Sequence, residues 1–310
     1  MKVAVVGAGF VGAASAYAMA IRGSASELVL IDVNAAKADA EARDIAHATT
    51  FTAPVRVRAG AYADLADAKV VVMSAGVNQK PGETRLELLE RNGAIFRDVI
   101  PQIVAGAPEA IILVSANPVD IMTELTERIA YSSGARPGSV LGTGTVLDTA
   151  RFRSLVGAHM DVDARHVHGY VFGEHGDSEV LGWSSLDIAG MPVEDFAQTT
   201  GIAWNDDLKA QITEETVRAA YKIIEGKGAT YYGIGALTAR LVESLVRDER
   251  AIYTVTATVP EYGCAMALPR LVTGAGVGAV LYPRMGAGER LALNRSADVL
   301  RSYATRLPAH

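Results

Sequence analysis

The chain has 310 residues, of which 50% are hydrophobic and 21% charged, a balance that excludes a disordered protein and leaves room for one large or two ordinary domains. A formal net charge of −6, from 35 acidic and 29 basic residues, argues against nucleic acid as the main partner. Cys264 is the only cysteine, so no intramolecular disulfide can form; with no apolar run near the ~20 residues that span a membrane, the sequence reads as cytoplasmic, in a reducing compartment and with no membrane partner.

The chain opens on KVAVV (Lys2–Val6), a β-branched run of the kind a buried parallel strand shows. Gly7, Gly9 and Gly12 follow in G-x-G-x-x-G spacing, ahead of an Ala-rich helix to about Arg22. A second apolar run, Leu28–Ile31, ends in Asp32. Strand, glycine turn, helix, strand and terminal acid in that order form a dinucleotide-binding fingerprint. The glycines allow a tight turn and close approach of a pyrophosphate to helix N–H groups. Asp32 would accept hydrogen bonds from both ribose hydroxyls and repel a 2′-phosphate, which favours NAD over NADP.

The alternation then continues. Helix is expected over Asn34–Ala48, strand over Val55–Arg58 and Lys69–Ser74, a long helix from Thr84 to about Ala105, strand over Ile111–Ser115, helix from Pro118 to about Ala130, and strand over Val140–Thr143. Strands and helices taking turns predict an α/β protein with a Rossmann, doubly wound parallel sheet in residues 1–144. After about residue 145 a helix, short strand-like runs, long helices over Asp206–Glu225 and Thr230–Val246, more strands and a closing helix predict a mixed α+β substrate domain, residues 145–310.

Two loops fall at carboxyl ends of strands, where ligands bind in open α/β sheets. AGVNQKPGETR (Ala75–Arg85) has the Gly, Pro and polar content of a mobile lid, and in Ser115-Ala116-Asn117-Pro118 the X-Pro bond is a candidate for the cis form. Asp148 and Arg151, three apart, share a helix face, whereas Arg151 and Arg153 are about 200° apart and face opposite ways. His175 follows a strand-like Tyr170-Val171-Phe172 and lies between Gly173 and Gly176. His168 is placed on the same strand face as Tyr170 and Phe172. His166 and His168 form an H-x-H pair, but no third ligand of clear spacing accompanies them, so no metal is expected.

Together GAGFVG with Asp32, NQKPGETR, SANPVD, DTARFR, GEHGDSE and KGATYYG resemble the NAD-dependent lactate/malate dehydrogenase family, in particular its bacterial L-lactate branch, over nearly the whole chain. The resemblance implies that His175 is the catalytic acid–base, Asp148 its paired carboxylate and Arg85 the lid arginine that polarises the substrate carbonyl. Arg151 is implied as the clamp on the substrate carboxylate, Gln79 as the selector of substrate, and Asn117 and Thr230 as further substrate contacts. On the cofactor side it implies Gly7, Gly9, Val11, Gly12, Asp32, Lys37, Tyr62, Gly76, Val77, Ser115, Ala116, Asn117 and Thr143 around NAD. It further implies a homotetramer converting pyruvate to L-lactate at the end of fermentative glycolysis, with Arg153 and His168 binding fructose 1,6-bisphosphate between subunits as an activator.

The chemistry so implied is coherent. Protonated His175 would donate to the substrate oxygen as hydride reaches C2, while Arg151 grips the carboxylate through paired hydrogen bonds. Gln79 separates the branches: the second carboxylate of oxaloacetate would stand unpaired beside a neutral side chain in a dry site. Malate dehydrogenase, another 2-hydroxy acid dehydrogenase, a non-catalytic NAD-binding protein and a purely structural assembly protein are the competing readings.

Overall fold

The computed structural model describes residues 1–77 and 85–307, apart from the side chains of Arg85 and Leu86. The first half runs β1 (Lys2–Val6), α1 (Phe10–Arg22), β2 (Glu27–Ile31), α2 (Ala35–Ala48), β3 (Arg56–Ala59), β4 (Ala68–Met73), α3 (Arg85–Gly106), β5 (Ile111–Val114), α4 (Val119–Ser132) and β6 (Val140–Gly142). The second half runs α5 (Val146–Met160), β7 (Val167–His168), β8 (Val171–Phe172), β9 (Val180–Leu181), β10 (Asp187–Ile188), β11 (Met191–Pro192), α6 (Val193–Thr200), α7 (Asp206–Lys227), α8 (Tyr232–Arg247), β12 (Ala251–Val259), β13 (Cys264–Thr273), β14 (Gly276–Val280) and α9 (Ala287–Ala304).

The first six strands lie in the order β6-β5-β4-β1-β2-β3 and pair in parallel. This is the doubly wound arrangement the sequence alternation predicts, with the order reversing where β1 meets β4. Successive side chains on a strand face opposite ways, and both faces are covered here. Val3 and Val5 point into a core with Ala16, Met19, Leu241 and Val242, from α1 and α8. Ala4 and Val6 point into the opposite core, which holds Phe96, Ile100, Ile103, Met122 and Leu125 from α3 and α4. Burial on both sides is why these strands read as unbroken apolar runs and not as alternating ones.

The second half does not keep its strands to itself. The antiparallel strands β12, β13 and β14 continue the same sheet beyond β6, giving nine strands in one sheet among the described residues. The join is narrow, with Thr256 of β12 paired to Gly142 of β6. The remaining short strands and α5 to α7 close over a separate cluster that includes Phe152, Val156, Val171, Leu181 and Ile212. One expectation fails here. His168 does not share a strand with Phe172: β7 pairs with β10 and β8 with β9, in two different sheets. Gly169 and Tyr170 break the run, so His168 is exposed while Phe172 is fully buried.

The glycine turn after β1 has little freedom. Gly7 takes φ +100°, which L side chains rarely adopt, and a Cβ on Gly12 would run into the Gly7 carbonyl oxygen. By contrast, a Cβ on Gly9 would meet nothing within 4 Å, so that side of the turn is open. Gly12→Ala is therefore expected to push α1 away from β1 and weaken NADH binding by about a hundredfold or more, roughly 2.8 kcal/mol. A fluorescence titration with NADH measures it, and near-parental affinity would contradict this account of the turn.

Candidate active site

Four loops gather at the carboxyl ends of the parallel strands: Gly7–Gly9 after β1, Ser74–Val77 after β4, Ser115–Pro118 after β5 and Thr143 after β6. The first two are tied by the Ser74 hydroxyl, which donates to the Gly7 carbonyl at 2.9 Å. Asp32, at the end of β2, accepts the Ala8 N–H at 2.7 Å with Oδ2 and the Asn34 N–H at 2.9 Å with Oδ1. Each carboxylate oxygen has a further lone pair for a ribose hydroxyl. No side chain caps the N-terminus of α1, so its first N–H groups remain for an anion. Cleft, glycine turn and acid together fit an NAD pyrophosphate and adenosine ribose.

The other cofactor candidates lie around this cleft with different degrees of engagement. Burial raises the Tyr62 phenol above its ordinary range, helped by the charges of Asp98 and Asp32, which places the ring near Asp32. Lys37 is exposed in the first turn of α2, its N–H donating to the Asn34 cap at 3.1 Å. Val11 stands in the first turn of α1. Ser115, Ala116 and Thr143 are buried, and Thr143 N–H donates to the Val114 carbonyl at 2.9 Å. The Asn117–Pro118 bond is cis, and Asn117 itself is exposed.

Asn92 was not among the sequence candidates, yet it joins two of these loops. It is buried, its Oδ1 accepts the Val77 N–H at 2.8 Å, and its Nδ2 donates to the Asn117 carbonyl at 2.9 Å. Gly76 packs against it, since a Cβ there would come within 3.3 Å of Asn92 Oδ1. The available signal was an amide on the apolar face of α3, in register with the buried Leu89 and Phe96.

On the other side of the cleft α5 supplies Asp148 and Arg151. Asp148 is almost fully buried; its Oδ1 accepts from Arg151 Nη1 at 2.7 Å, and its Oδ2 meets His175 Nδ1 at 2.6 Å. Burial alone would push this carboxyl up, but the imidazole and guanidinium beside it hold it below its ordinary value. His175 shows the reverse contest. Burial disfavours its charge, yet the charge and hydrogen bond of Asp148, with Asp120 and Glu179 adding, raise it to about 9. The imidazole is therefore protonated at neutral pH, with its Nδ1 proton directed at Asp148.

The turn carrying His175 is fixed from several directions. Gly173 takes φ +95°, exchanges backbone hydrogen bonds with Ala267 of β13 at 2.8 and 3.0 Å, and has no room for a Cβ, which would sit 2.7 Å from Ser296 Oγ. Glu174 N–H donates to that same Ser296 oxygen at 2.6 Å. Two acids near His175 were missed as candidates, although both lie inside quoted motifs. Glu179 is pushed up to about 9, first by burial and then by the charge of Asp148, and its Oε1 is buried with no hydrogen-bond partner among the described residues. The other is Asp120, two positions after Pro118.

Asp148, His175 and Glu179 offer ligand atoms within 4.8 Å of one another, the only such grouping of three among the described residues. His166 and His168 are not part of it. With Asp148 already bridging a protonated imidazole and a guanidinium, the grouping is built to hold protons.

Arg153 points away from this centre, as its spacing from Arg151 requires. Its Nε donates to the Gly169 carbonyl at 2.9 Å, its guanidinium lies 5.1 Å from the centre of the Tyr170 ring, and the exposed His168 is next in the chain to Gly169. Burial lowers the Arg153 guanidinium from its ordinary value, with Tyr170 opposing. Thr230 is half-buried in the link between α7 and α8. Gln79 and the side chain of Arg85 lie outside the described residues.

A dinucleotide cleft facing a buried carboxylate–imidazole pair and a half-buried guanidinium defines an NAD-dependent oxidoreductase. Residues 1–138 match the family profile described as "lactate/malate dehydrogenase, NAD binding domain", and residues 145–307 the one described as "lactate/malate dehydrogenase, alpha/beta C-terminal domain". The chain belongs to the lactate/malate dehydrogenase family, and its cofactor is NAD.

Among relatives, it is 55% identical to an L-lactate dehydrogenase of Chloroherpeton thalassium over 97% of this chain and 98% of that one. It is 53% identical to an L-lactate dehydrogenase of Deinococcus radiodurans over 99% of each. A similar crystal structure is the minor L-lactate dehydrogenase from Enterococcus mundtii in its ligand-bound form, with TM-score 0.94 and 38% identity over 100% of this chain and 99% of that one.

Proposed function

We propose that the chain is an L-lactate dehydrogenase that interconverts pyruvate and L-lactate. The observation that carries this reading is the Asp148 carboxylate held at once by His175 and Arg151. When bound, NADH supplies the hydride that reaches C2 of pyruvate. As negative charge develops on the substrate oxygen, protonated His175 donates its Nε2 proton, and Asp148 keeps the ring's tautomer and orientation. Arg151 has five N–H donors, so its bond to Asp148 leaves others for the substrate carboxylate, which sets C2 against the cofactor. Arg85 would add positive charge near the carbonyl oxygen, Asn117 and Thr230 would complete the polar wall, and Gln79 would face the methyl group. On the cofactor side, Asp32 would hold the adenosine ribose and Gly7–Gly12 the pyrophosphate. Tyr62, Lys37, Val77, Ser115 and Thr143 would line the rest of the cleft.

Arg153 and His168 stand on the far side of α5, where a guanidinium and an exposed imidazole suit a phosphate ester. The reading extends to activation by fructose 1,6-bisphosphate at this place, in a homotetramer working in the cytoplasm at the end of fermentative glycolysis. The names of the relatives and the neutral Gln79 favour lactate over malate. No described helix is long and apolar enough to cross a membrane.

Three outcomes test this reading. Pyruvate reduction needs protonated His175, so its kcat/KM is expected to fall as pH rises through about 9, while lactate oxidation, which needs the neutral ring, rises over the same range. A reduction limb at or below the ordinary histidine value of about 6.5 would overturn this expectation, because burial would then offset the whole effect of Asp148. Gln79→Arg is expected to raise oxaloacetate reduction at least about tenfold relative to pyruvate, because a cation would pair the second carboxylate; no gain in oxaloacetate turnover would falsify this view of specificity. Arg153→Ala and His168→Ala are each expected to abolish the lowering of pyruvate KM by fructose 1,6-bisphosphate. An effector titration that leaves parental KM unchanged would end the activation proposal.

A further inference from the structure

A second carboxylate stands behind His175, and no step above uses it. Asp120 lies in the first turn of α4 and is 2% exposed. Its Oδ2 accepts the backbone N–H of His175 at 2.7 Å, and its Oδ1 accepts the hydroxyl of Thr256 in β12. A buried carboxylate is costly unless its lone pairs are matched by donors. Here two donors from different elements converge on two acceptor oxygens, which a carboxylate supplies and an amide does not. Three parts of the molecule meet at this side chain: the helix that follows the Asn117–Pro118 turn, the strand that joins the two halves of the sheet, and the turn bearing the imidazole.

We propose that Asp120 is a positioning residue for His175, anchoring the residue's backbone amide to α4 and β12 so that the imidazole keeps its place between Asp148 and the substrate. The inference rests on the reading of His175 as the acid–base group. Among the described residues, the charged and titratable groups around His175 are Asp148 and Arg151 from α5, Asp120 from α4, and Glu174 and Glu179 from its own turn. Burial pushes Asp120 up to about 6, opposed by the Thr256 hydroxyl, the His175 N–H and the His175 charge. Above that pH Asp120 is an anion and adds to the attraction that keeps the imidazole protonated. Asp148 holds the ring at Nδ1 while Asp120 holds the main-chain amide, so ring and backbone are each tied to a carboxylate.

The test compares Asp120→Asn, Thr256→Val and Thr256→Ser with the parent and with His175→Asn, all as full chains. Asp120→Asn is expected to bind NADH as the parent does and to lower kcat for pyruvate about tenfold to a hundredfold with little change in KM. The alkaline limb of its pyruvate reduction should move to lower pH, because a negative charge near His175 is gone. Thr256→Val is expected to lower kcat severalfold and Thr256→Ser to restore it, since only the hydroxyl matters to the anchor. A folded Asp120→Asn chain that loses thermal stability but keeps the parental kcat and pH limb overturns the proposal. If Asp120→Asn does not fold, Thr256→Val decides: a loss of kcat rescued by Ser supports the anchor, and parental kcat overturns it. Parental turnover in His175→Asn would instead overturn the acid–base reading itself, a result separate from the others.

Discussion

The site depends on one buried negative charge. Asp148 has almost no contact with water, and a carboxylate in that position survives only with close positive partners. It has two, one on each oxygen, and they are the groups proposed to act on substrate. Arg151 and His175 come from elements that sequence separates by 24 positions, yet the shared carboxylate fixes the distance between them. Removing that charge would leave burial and the nearby guanidinium both acting against the imidazolium, so His175 would lose the proton it is proposed to donate.

The surrounding fold carries few decisions beyond keeping that arrangement in register with the cofactor cleft. The doubly wound sheet brings four loop ends together at its reversal point, and Asn92 ties two of them through one amide. Gly173 locks the His175 turn to β13, and the Glu174 N–H ties it to Ser296 of α9. The imidazole thus faces a cleft built by the first half of the chain while resting on strands and a helix of the second.

Much of this was readable in the sequence, for reasons that differ by residue. The parallel strands showed because burial on both faces leaves continuous apolar runs, and the glycine turn showed because its geometry admits few other residues. Asp148, Arg151 and Arg153 were separable because helical spacing alone puts the first two on one side and the third on the other. The reading failed where tertiary contacts decide. A run through His168, Tyr170 and Phe172 looks like one strand, but Gly169 turns the chain and its two ends find partners in different sheets. Asn92 showed only as an amide on an apolar helix face and Asp120 not at all, because their hydrogen-bond partners lie on other elements, while the burial that shifts Glu179 comes from packing that its own turn does not encode. The continuation of the parallel sheet by β12 to β14 was equally invisible, since strand order across some 110 positions leaves no periodic trace.

That continuation has an effect on what the molecule can be divided into. Thr256 pairs with Gly142 at the seam between the parallel and antiparallel portions and also holds Asp120. A cut beside the seam would strip β6 of its neighbour and leave buried Val140 and Leu141 on an open edge, ready to recruit a strand from another chain. The two halves thus share one sheet across that seam. Loosening along the seam would disturb the Thr256–Asp120 contact behind the His175 amide, so a slightly parted sheet would register at the proposed acid–base group while the bulk of the secondary structure was still intact.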